Sequence, residues 1–309
     1  MSKDYSIGNP REEDVEQLGT LDFVMKLHYL YHGDFDVRNL FCAFDGAGQL
    51  VAAAHLTKHD TFDAAGHEEE ADFARYLMFD LAFADEHPDE AIHDALMDAL
   101  LARSREIKAE HPHKNVVLSQ YVDTDNLKDA AYYLKRGFTV WDTIVVFKYD
   151  LSGDIPTCPL PDGVEIRPYV LDNDEALRSY NQAEVAAFDG VAWSLNHLRW
   201  MEGAAEMAHF CAFSGGRMIG NTSTWRITDD RSATENIFVT PDWQRKGVAH
   251  CLIHTALAHL KQQGKKIATL GTHGTNSKAI RLYMQLGYEL LGFRLLMGYG
   301  IKPAAGHND

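Results

Sequence analysis

The sequence predicts an α/β protein (α+β by some schemes) made of two tandem copies of one unit, each a mixed, mostly antiparallel twisted sheet flanked by helices. Three patterns carry that expectation. At residues 234–249 an alternating segment, with Ile237 and Val239 on one face, passes through Thr240-Pro241-Asp242 into a run whose apolar residues, among them Leu252, Ile253, Ala256 and Leu260, recur at helical spacing. A strand there hands over to a helix through a turn. Tyr283 and Gly287 follow Asn276 by seven and eleven residues, and Tyr133 and Gly137 follow Asn126 at the same spacings. Finally, Phe41-Cys-Ala-Phe44 before Asp45-Gly46 matches Phe210-Cys-Ala-Phe213 before Ser214-Gly215-Gly216. Two repeats in the same order point to a duplicated unit.

Taken in order, the first copy opens with two helices, one after Asn9-Pro10 and one over residues 21–30. A hairpin at 40–44 and 49–56 turns through residues 45–48. Residues 59–72 are polar and Glu-rich, which reads as a loop; 76–84 is an apolar strand, and 89–108 a helix with Ile92, Leu96 and Leu100 inward. A strand at 116–120 precedes the helix capped by Asn126 and closed by Gly137. The Pro- and Gly-rich stretch 151–163 reads as a linker, dividing the chain into a first domain (1–150), a second (164–303) and a tail (304–309). The second copy runs through a strand at 164–168, a helix to about Phe188 and a helix at 193–200, whose Trp193, His197 and Trp200 are core or acceptor-pocket side chains. A long hairpin at 207–227, the motif strand and helix, a strand at 266–270, the Asn276 helix and two last strands, 288–293 and 295–299, complete it.

Composition narrows the function classes. A hydrophobic content of 46% suits a globular core, and no apolar stretch approaches the length of a membrane span, so a cytoplasmic protein is expected. Cys42, Cys158, Cys211 and Cys251 have no CxxC spacing, which argues against a zinc ribbon or redox motif and leaves buried thiols as the expectation. The formal charge of −16 divides into −15 for residues 1–150 and −1 for the rest. So acidic a first half repels nucleic acid and anionic lipid, and its field draws cations if it does more than keep the chain soluble.

The chemistry centres on the turn. A helix start leaves about four unpaired N–H groups and roughly half a positive charge, to which Gln244, Arg245 and Lys246 add donors and two cations. Gly247 lets the backbone approach a ligand, Val248 continues the helix start, and Ala249 offers only a methyl group. This is a phosphate site without a Walker loop or a dinucleotide fingerprint. The string Gln244-x-x-Gly247-x-Ala249, followed by a strand and the Asn276–Tyr283–Gly287 helix, resembles the GCN5-related N-acetyltransferases (GNAT).

That resemblance implies that the turn holds the pyrophosphate of acetyl-CoA and that the backbone of Ile237, Phe238 and Val239 pairs with pantetheine. It also implies that Asn276 faces the thioester and that Tyr283 supplies a proton or hydrogen bond to the leaving thiolate. An amine acceptor is mostly protonated at neutral pH, so a base is needed; Glu235, near the position where relatives carry a carboxylate, is the candidate, with His273 the alternative. In the first copy Pro88, Asp89, Glu90, Ala91 and His93 stand opposite Gln244, Arg245, Lys246, Gly247 and Ala249, so that copy is expected not to bind CoA and to serve as scaffold or acceptor wall. The tandem layout is similar to that of mycothiol synthases. A small cationic or peptide amine is the expected partner, with no nucleic acid and no membrane, in a monomer or homodimer. His250 and His254 lack a third ligand at useful spacing, so no metal is expected. The competing class is a silent CoA-binding or interaction protein on the same fold.

Overall fold

Alternation within the strands decides which helices cover which face. In the computed structural model, which describes residues 5–31, 36–58, 74–85 and 89–302, the strand β2 (Leu40–Phe44) turns Leu40 and Cys42 toward Leu18 and Met25, and Ala43 toward Leu96 and Leu100. Leu18 lies on α1 (Val15–Leu21) and Met25 on α2 (Phe23–Tyr31), whereas Leu96 and Leu100 lie on α3 (Glu90–Glu110). The second half repeats the division. On β8 (Ala208–Ser214), Cys211 and Phe213 pack against Leu177 and Tyr180 of α5 (Asp174–Ala187), while Ala212 packs against Val248 and Leu252 of α7 (Val248–Gln262). One face of the sheet is thus covered by α1, α2, α5 and α6 (Leu195–Met201). The other carries α3, α4 (Leu127–Lys135), α7 and α8 (Ser277–Gln285).

The remaining strands are β1 (Ser6–Gly8), β3 (Leu50–Lys58), β4 (Ala74–Phe83), β5 (Asn115–Asp123), β6 (Thr139–Asp150), β7 (Val164–Tyr169), β9 (Arg217–Arg226), β10 (Arg231–Val239), β11 (Ile267–His273) and β12 (Glu289–Gly300). All twelve form one sheet in the order β1-β2-β3-β4-β5-β12-β6-β11-β10-β9-β8-β7. Among the described residues only β4–β5 and β10–β11 are parallel, which bears out the mixed, mostly antiparallel expectation.

The order contains an exchange that the sequence does not advertise. β12, the last of the described strands, lies between β5 and β6, and β6 runs antiparallel to β11 from Ile267↔Asp150 to His273↔Ile144. The halves of the sequence and the halves of the sheet therefore do not coincide at residue 150. Val145 and Phe147 of β6 are buried with Ile253, Leu257, Leu270 and Tyr283. At ~1.5–3 kcal/mol for each large apolar side chain removed from water, this core depends on a strand contributed by the first half. The two helix pairs also meet, since the His28 ring of α2 stacks on Trp200 of α6 at 4.6 Å.

Two expectations are corrected. The chain end forms one twelve-residue strand, β12, rather than two; register shifts at Leu290/Gly292 and Leu296/Met297 absorb the irregularity that reads as a break in the sequence. Nor are all four cysteines thiols. Cys158 and Cys251 form a disulfide with Cα atoms 5.1 Å apart, leaving Cys42 and Cys211 free and buried. The linker runs along α7, where the Lys261 ammonium donates to the carbonyls of Ser152 and Gly153, and this brings together two residues 93 positions apart. Short-range spacing cannot reveal such a pair. Strand β1 was not anticipated, and the polar loop at 59–72, Pro88 and the tail lie outside the described residues.

Candidate active site

Strands β10 and β11 pair only from Arg231↔Ile267 to Ala233↔Thr269, although both run on, to Val239 and His273. Beyond that ladder a gap opens between them. Three groups of side chains surround it.

At the far end of β10 lies the turn. Arg245 (φ 60°) and Gly247 (φ 86°) both adopt left-handed backbone, an alternation that turns successive N–H groups into one concavity. Gly247 is the N-cap of α7 and no side chain caps that helix, so its first amides are unclaimed. Residues 244–247 are exposed, Gln244 is folded back with its amide donating to the Val239 carbonyl at 3.1 Å, and the Lys246 ammonium sits 4.8 Å from the Trp243 ring centre. A side chain on Gly247 would meet nothing within 4 Å, so this residue answers to backbone conformation rather than packing. Gly220 behaves differently: a Cβ there would lie 2.8 Å from the Phe238 carbonyl oxygen, so its absence lets β10 pass close to β9.

The equivalent corner of the first half is shut. Asp89 caps α3, its carboxylate accepting the Ala91 amide at 3.0 Å. His93 stacks on Tyr132 at 3.8 Å and contacts Phe83, while Tyr132 and Arg136 of the α4 segment bind Asp94 of α3 at 2.7 and 2.6 Å. The groove between α3 and α4 is filled by these groups.

The second group is on the α5 face. β10 carries a bulge between Glu235 and Phe238, centred on Asn236 in left-handed backbone (φ 46°). Asn236 donates to Glu184 at 2.8 Å and to the Tyr180 hydroxyl at 3.0 Å, and Asn221 donates to the Asn236 carbonyl at 2.8 Å. Asn tolerates this conformation better than most residues, and the buried amides and carboxylate fix it. Glu235 stands just before the bulge, in register with Ser223, and accepts the Trp225 indole N–H at 2.6 Å. Burial holds its carboxyl above the ordinary range, and the Trp225 bond only partly opposes this.

Since Ala233 and Thr269 are register partners, period-two alternation brings His273 of β11 to the same face as Glu235. His273 thus ends a strand rather than lying in a loop. Its Nδ1 is 2.6 Å from Asp142, a residue of β6.

The third group lies on the opposite face. Tyr283 of α8 is 7% exposed, packs edge-on to Phe147, and burial pushes its hydroxyl up to about 12. Asn276 caps α8 by accepting the Ala279 amide at 3.1 Å, as Asn126 does for α4, so the shared Asn spacing has a helix-capping cause in both copies. Back on the α5 face, Trp193 and His197 contact each other at the start of α6, next to the Trp200–His28 junction. His250 and His254 belong to no cluster of three ligating residues among those described.

Sequence reading missed Trp225, Glu184, Asp142 and Asp80. Asp80 is in register with His55 as Glu235 is with Ser223, three residues along β3 and β9 from the matched pairs Ala52↔Phe83 and Gly220↔Val239. Ungapped alignment hides this equivalence because β10 has one extra residue in its bulge. Burial, then the neighbouring Asp22, also raises the Asp80 carboxyl above its ordinary range.

The sequence profile of the Acetyltransferase (GNAT) family matches residues 172–288. The mycothiol acetyltransferase of Thermomonospora curvata is 31% identical over 142 residues, 43% of this chain and 47% of that protein, so the chain spans about half the length of the first curated relatives it matches. A mycothiol acetyltransferase of Acidothermus cellulolyticus is 23% identical over 308 residues, 93% of this chain and 88% of its own length. Among solved structures, a tandem GNAT protein from the clavulanic acid biosynthesis pathway superposes with TM-score 0.65 over 97% of this chain and 100% of its own, at 14% identity. A GCN5-related N-acetyltransferase from Sphaerobacter thermophilus gives TM-score 0.63 over 97% and 96%, also at 14% identity. The GNAT profile thus lies within the second half of the chain, and along nearly its whole length the chain is similar in sequence to mycothiol acetyltransferase and in fold to tandem GNAT structures.

Proposed function

We propose that the protein transfers an acetyl group from acetyl-CoA directly to an amine, with the cofactor held by the second half alone. The observation that carries this reading is the open, uncapped start of α7, beside a gap between β10 and β11 that joins the two faces of the sheet. The diphosphate binds the amides of residues 245–249 with Gln244, Arg245 and Lys246 around it, and pantetheine runs along the backbone of Ile237, Phe238 and Val239 into the gap. The acceptor approaches from the α5 face, where Glu235 takes a proton from its nitrogen. A carboxylate whose proton affinity is raised by burial is a better base than an exposed one. Tyr283, on the opposite face, gives a hydrogen bond or proton to the departing thiolate; a hydroxyl held up to about 12 remains protonated at neutral pH. Attack and departure are then served from opposite sides of the sheet, and no covalent acetyl-enzyme is needed. Asn276 orients α8 as its cap and stands near the thioester.

An acceptor of cationic character fits the charge of −15 on the first half, whose raised carboxyl at Asp80 faces the same side as Glu235. A mycothiol-type cysteinyl amine is the second reading, favoured by the full-length similarity to mycothiol acetyltransferase. The protein is expected in the cytoplasm, free of nucleic acid and membrane; no helix among the described residues is long and apolar enough to cross a bilayer. The test is release of CoA from acetyl-CoA across an amine panel, read with a thiol reagent. Stimulation by at least one amine is expected, with Tyr283→Phe lowering kcat more than it changes KM for acetyl-CoA. Tight CoA binding with no stimulation would favour a silent binding protein.

A further inference from the structure

The acceptor nitrogen loses two protons in each turnover, and the site described so far gives only one of them a destination. The overall change is R–NH3⁺ plus acetyl-CoA to R–NH–acetyl, CoA–SH and one H⁺. One proton must leave before the nitrogen lone pair can attack, the other after the C–N bond forms. Resting on the transfer reading, we propose that His273, oriented by Asp142, is the base that removes the first proton from the incoming ammonium, and that Glu235 removes the second.

The geometry is that of an imidazole prepared for the task. Asp142 Oδ2 lies 2.6 Å from His273 Nδ1, and since a carboxylate only accepts, Nδ1 carries the hydrogen and Nε2 presents its lone pair. Asp142 is itself held, its Oδ1 accepting the Thr143 amide at 2.7 Å, and the Thr143 carbonyl in turn accepts the Gly274 amide at 2.7 Å. The ring is therefore fixed at both ends of its attachment. Asp142 is only 11% exposed whereas His273 is 52% exposed, so the pair has a sheltered anchor and an accessible base that can discharge its proton to water. Glu235, by contrast, is partly covered and bonded to Trp225.

The two bases face one gap from its two sides, Glu235 on β10 and His273 on β11, both on the α5 face. Other charged or titratable groups near the pair include Tyr76 of β4, whose hydroxyl is raised by burial and then by Asp142, and Arg294 of β12, which pairs with Asp123 at 2.9 Å, lies over the Tyr121 ring of β5 and lowers the proton affinity of Asp80. In the step, Nε2 takes a proton from R–NH3⁺ and the freed lone pair attacks the thioester carbon. The C=O π pair moves onto oxygen; Glu235 then takes the second N–H proton. As the oxygen pair re-forms the C=O bond the C–S bond breaks and its pair goes to sulfur, which Tyr283 protonates; Glu235 and imidazolium His273 then release two protons to solvent, one of which is balanced by reprotonation of Tyr283, leaving the one net proton. Asp142 is a positioning residue and comes from the first half, which enters the reaction through the exchanged strand β6.

The test compares the most active primary alkylamine of the panel with trifluoroethylamine, which is largely neutral at pH 7 and needs no first deprotonation. His273→Gln should lower kcat/KM for the alkylamine about 100-fold at neutral pH, within the usual range for a general base, and for trifluoroethylamine by less than about threefold. The alkylamine's acidic limb should move to higher pH, following the amine's own titration, while CoA affinity is unchanged. Asp142→Asn should show the same dependence on amine basicity with a smaller loss, and it decides the matter should His273→Gln fail to fold. Equal losses for both amines, or no loss, would overturn the assignment of His273 while leaving acetyl transfer intact. Wild-type enzyme stimulated by no amine would overturn both.

Discussion

Gly247 and Asp89 occupy the same corner of the two halves and, in the proposed reaction, give opposite answers to an incoming diphosphate. At Gly247 the left-handed backbone and the open space beyond Cα expose the helix start; at Asp89 a carboxylate already sits on the equivalent amides. Gly247→Glu places a negative side chain in that opening and strains the backbone, so CoA affinity measured by calorimetry should fall at least ~100-fold. Asp89→Ala should leave CoA affinity unchanged and cost ~1 kcal/mol of stability through the lost cap. Glu235 carries a separate prediction. Folding raises its proton affinity, so the native state binds more protons than the unfolded state between the ordinary carboxylate range and the raised value. Stability is therefore greatest below that window and falls as pH rises through it. Glu235→Gln removes the penalty: its Tm should exceed that of the wild type at neutral pH, the difference should vanish in acid, and amine turnover should drop. A lower Tm at neutral pH would mean that the Trp225 bond outweighs desolvation.

Among the elements, β6 and α7 carry the most consequence. β6 lies between β12 and β11 and supplies Phe147 to the core under α8, so residues 151–309 alone lack the strand that joins their own last two. That fragment should be unfolded or aggregated by circular dichroism and size-exclusion chromatography, and should recover a native spectrum when produced with residues 1–150. A folded, CoA-binding fragment would show that the exchange is dispensable. On α7, the Cys158–Cys251 disulfide ties the linker to the second turn after Gly247. In denaturant without reductant two thiols should react, Cys42 and Cys211, and four after reduction. The strand–turn–helix at 231–262 and the paired Asn-capped helices were legible because period and capping are local. The exchange and the disulfide were not, since β6 and β12 have the composition of any buried strand and the two cysteines meet only once the linker lies along α7. The residues around Glu235 fall between these cases: the carboxylate can be picked out by its place in the motif, whereas the Asn236 bulge that shifts its register leaves no periodic trace.

For the whole molecule, one sheet carries two copies that have diverged in charge as well as in detail. The acidic half faces its partner across the junction where His28 meets Trp200, and in this account its contributions are a field for cations, the shared strand and Asp142. Raising the ionic strength should therefore increase KM for a cationic acceptor while hardly changing it for a neutral one. Whether the two corners divide the labour as proposed is decided by a crystal structure of the complex with CoA. A single CoA is expected, its diphosphate accepting from the amides of residues 245–249 and its sulfur lying in the gap between β10 and β11. A diphosphate seated at residues 89–93, or away from both helix starts, would contradict it.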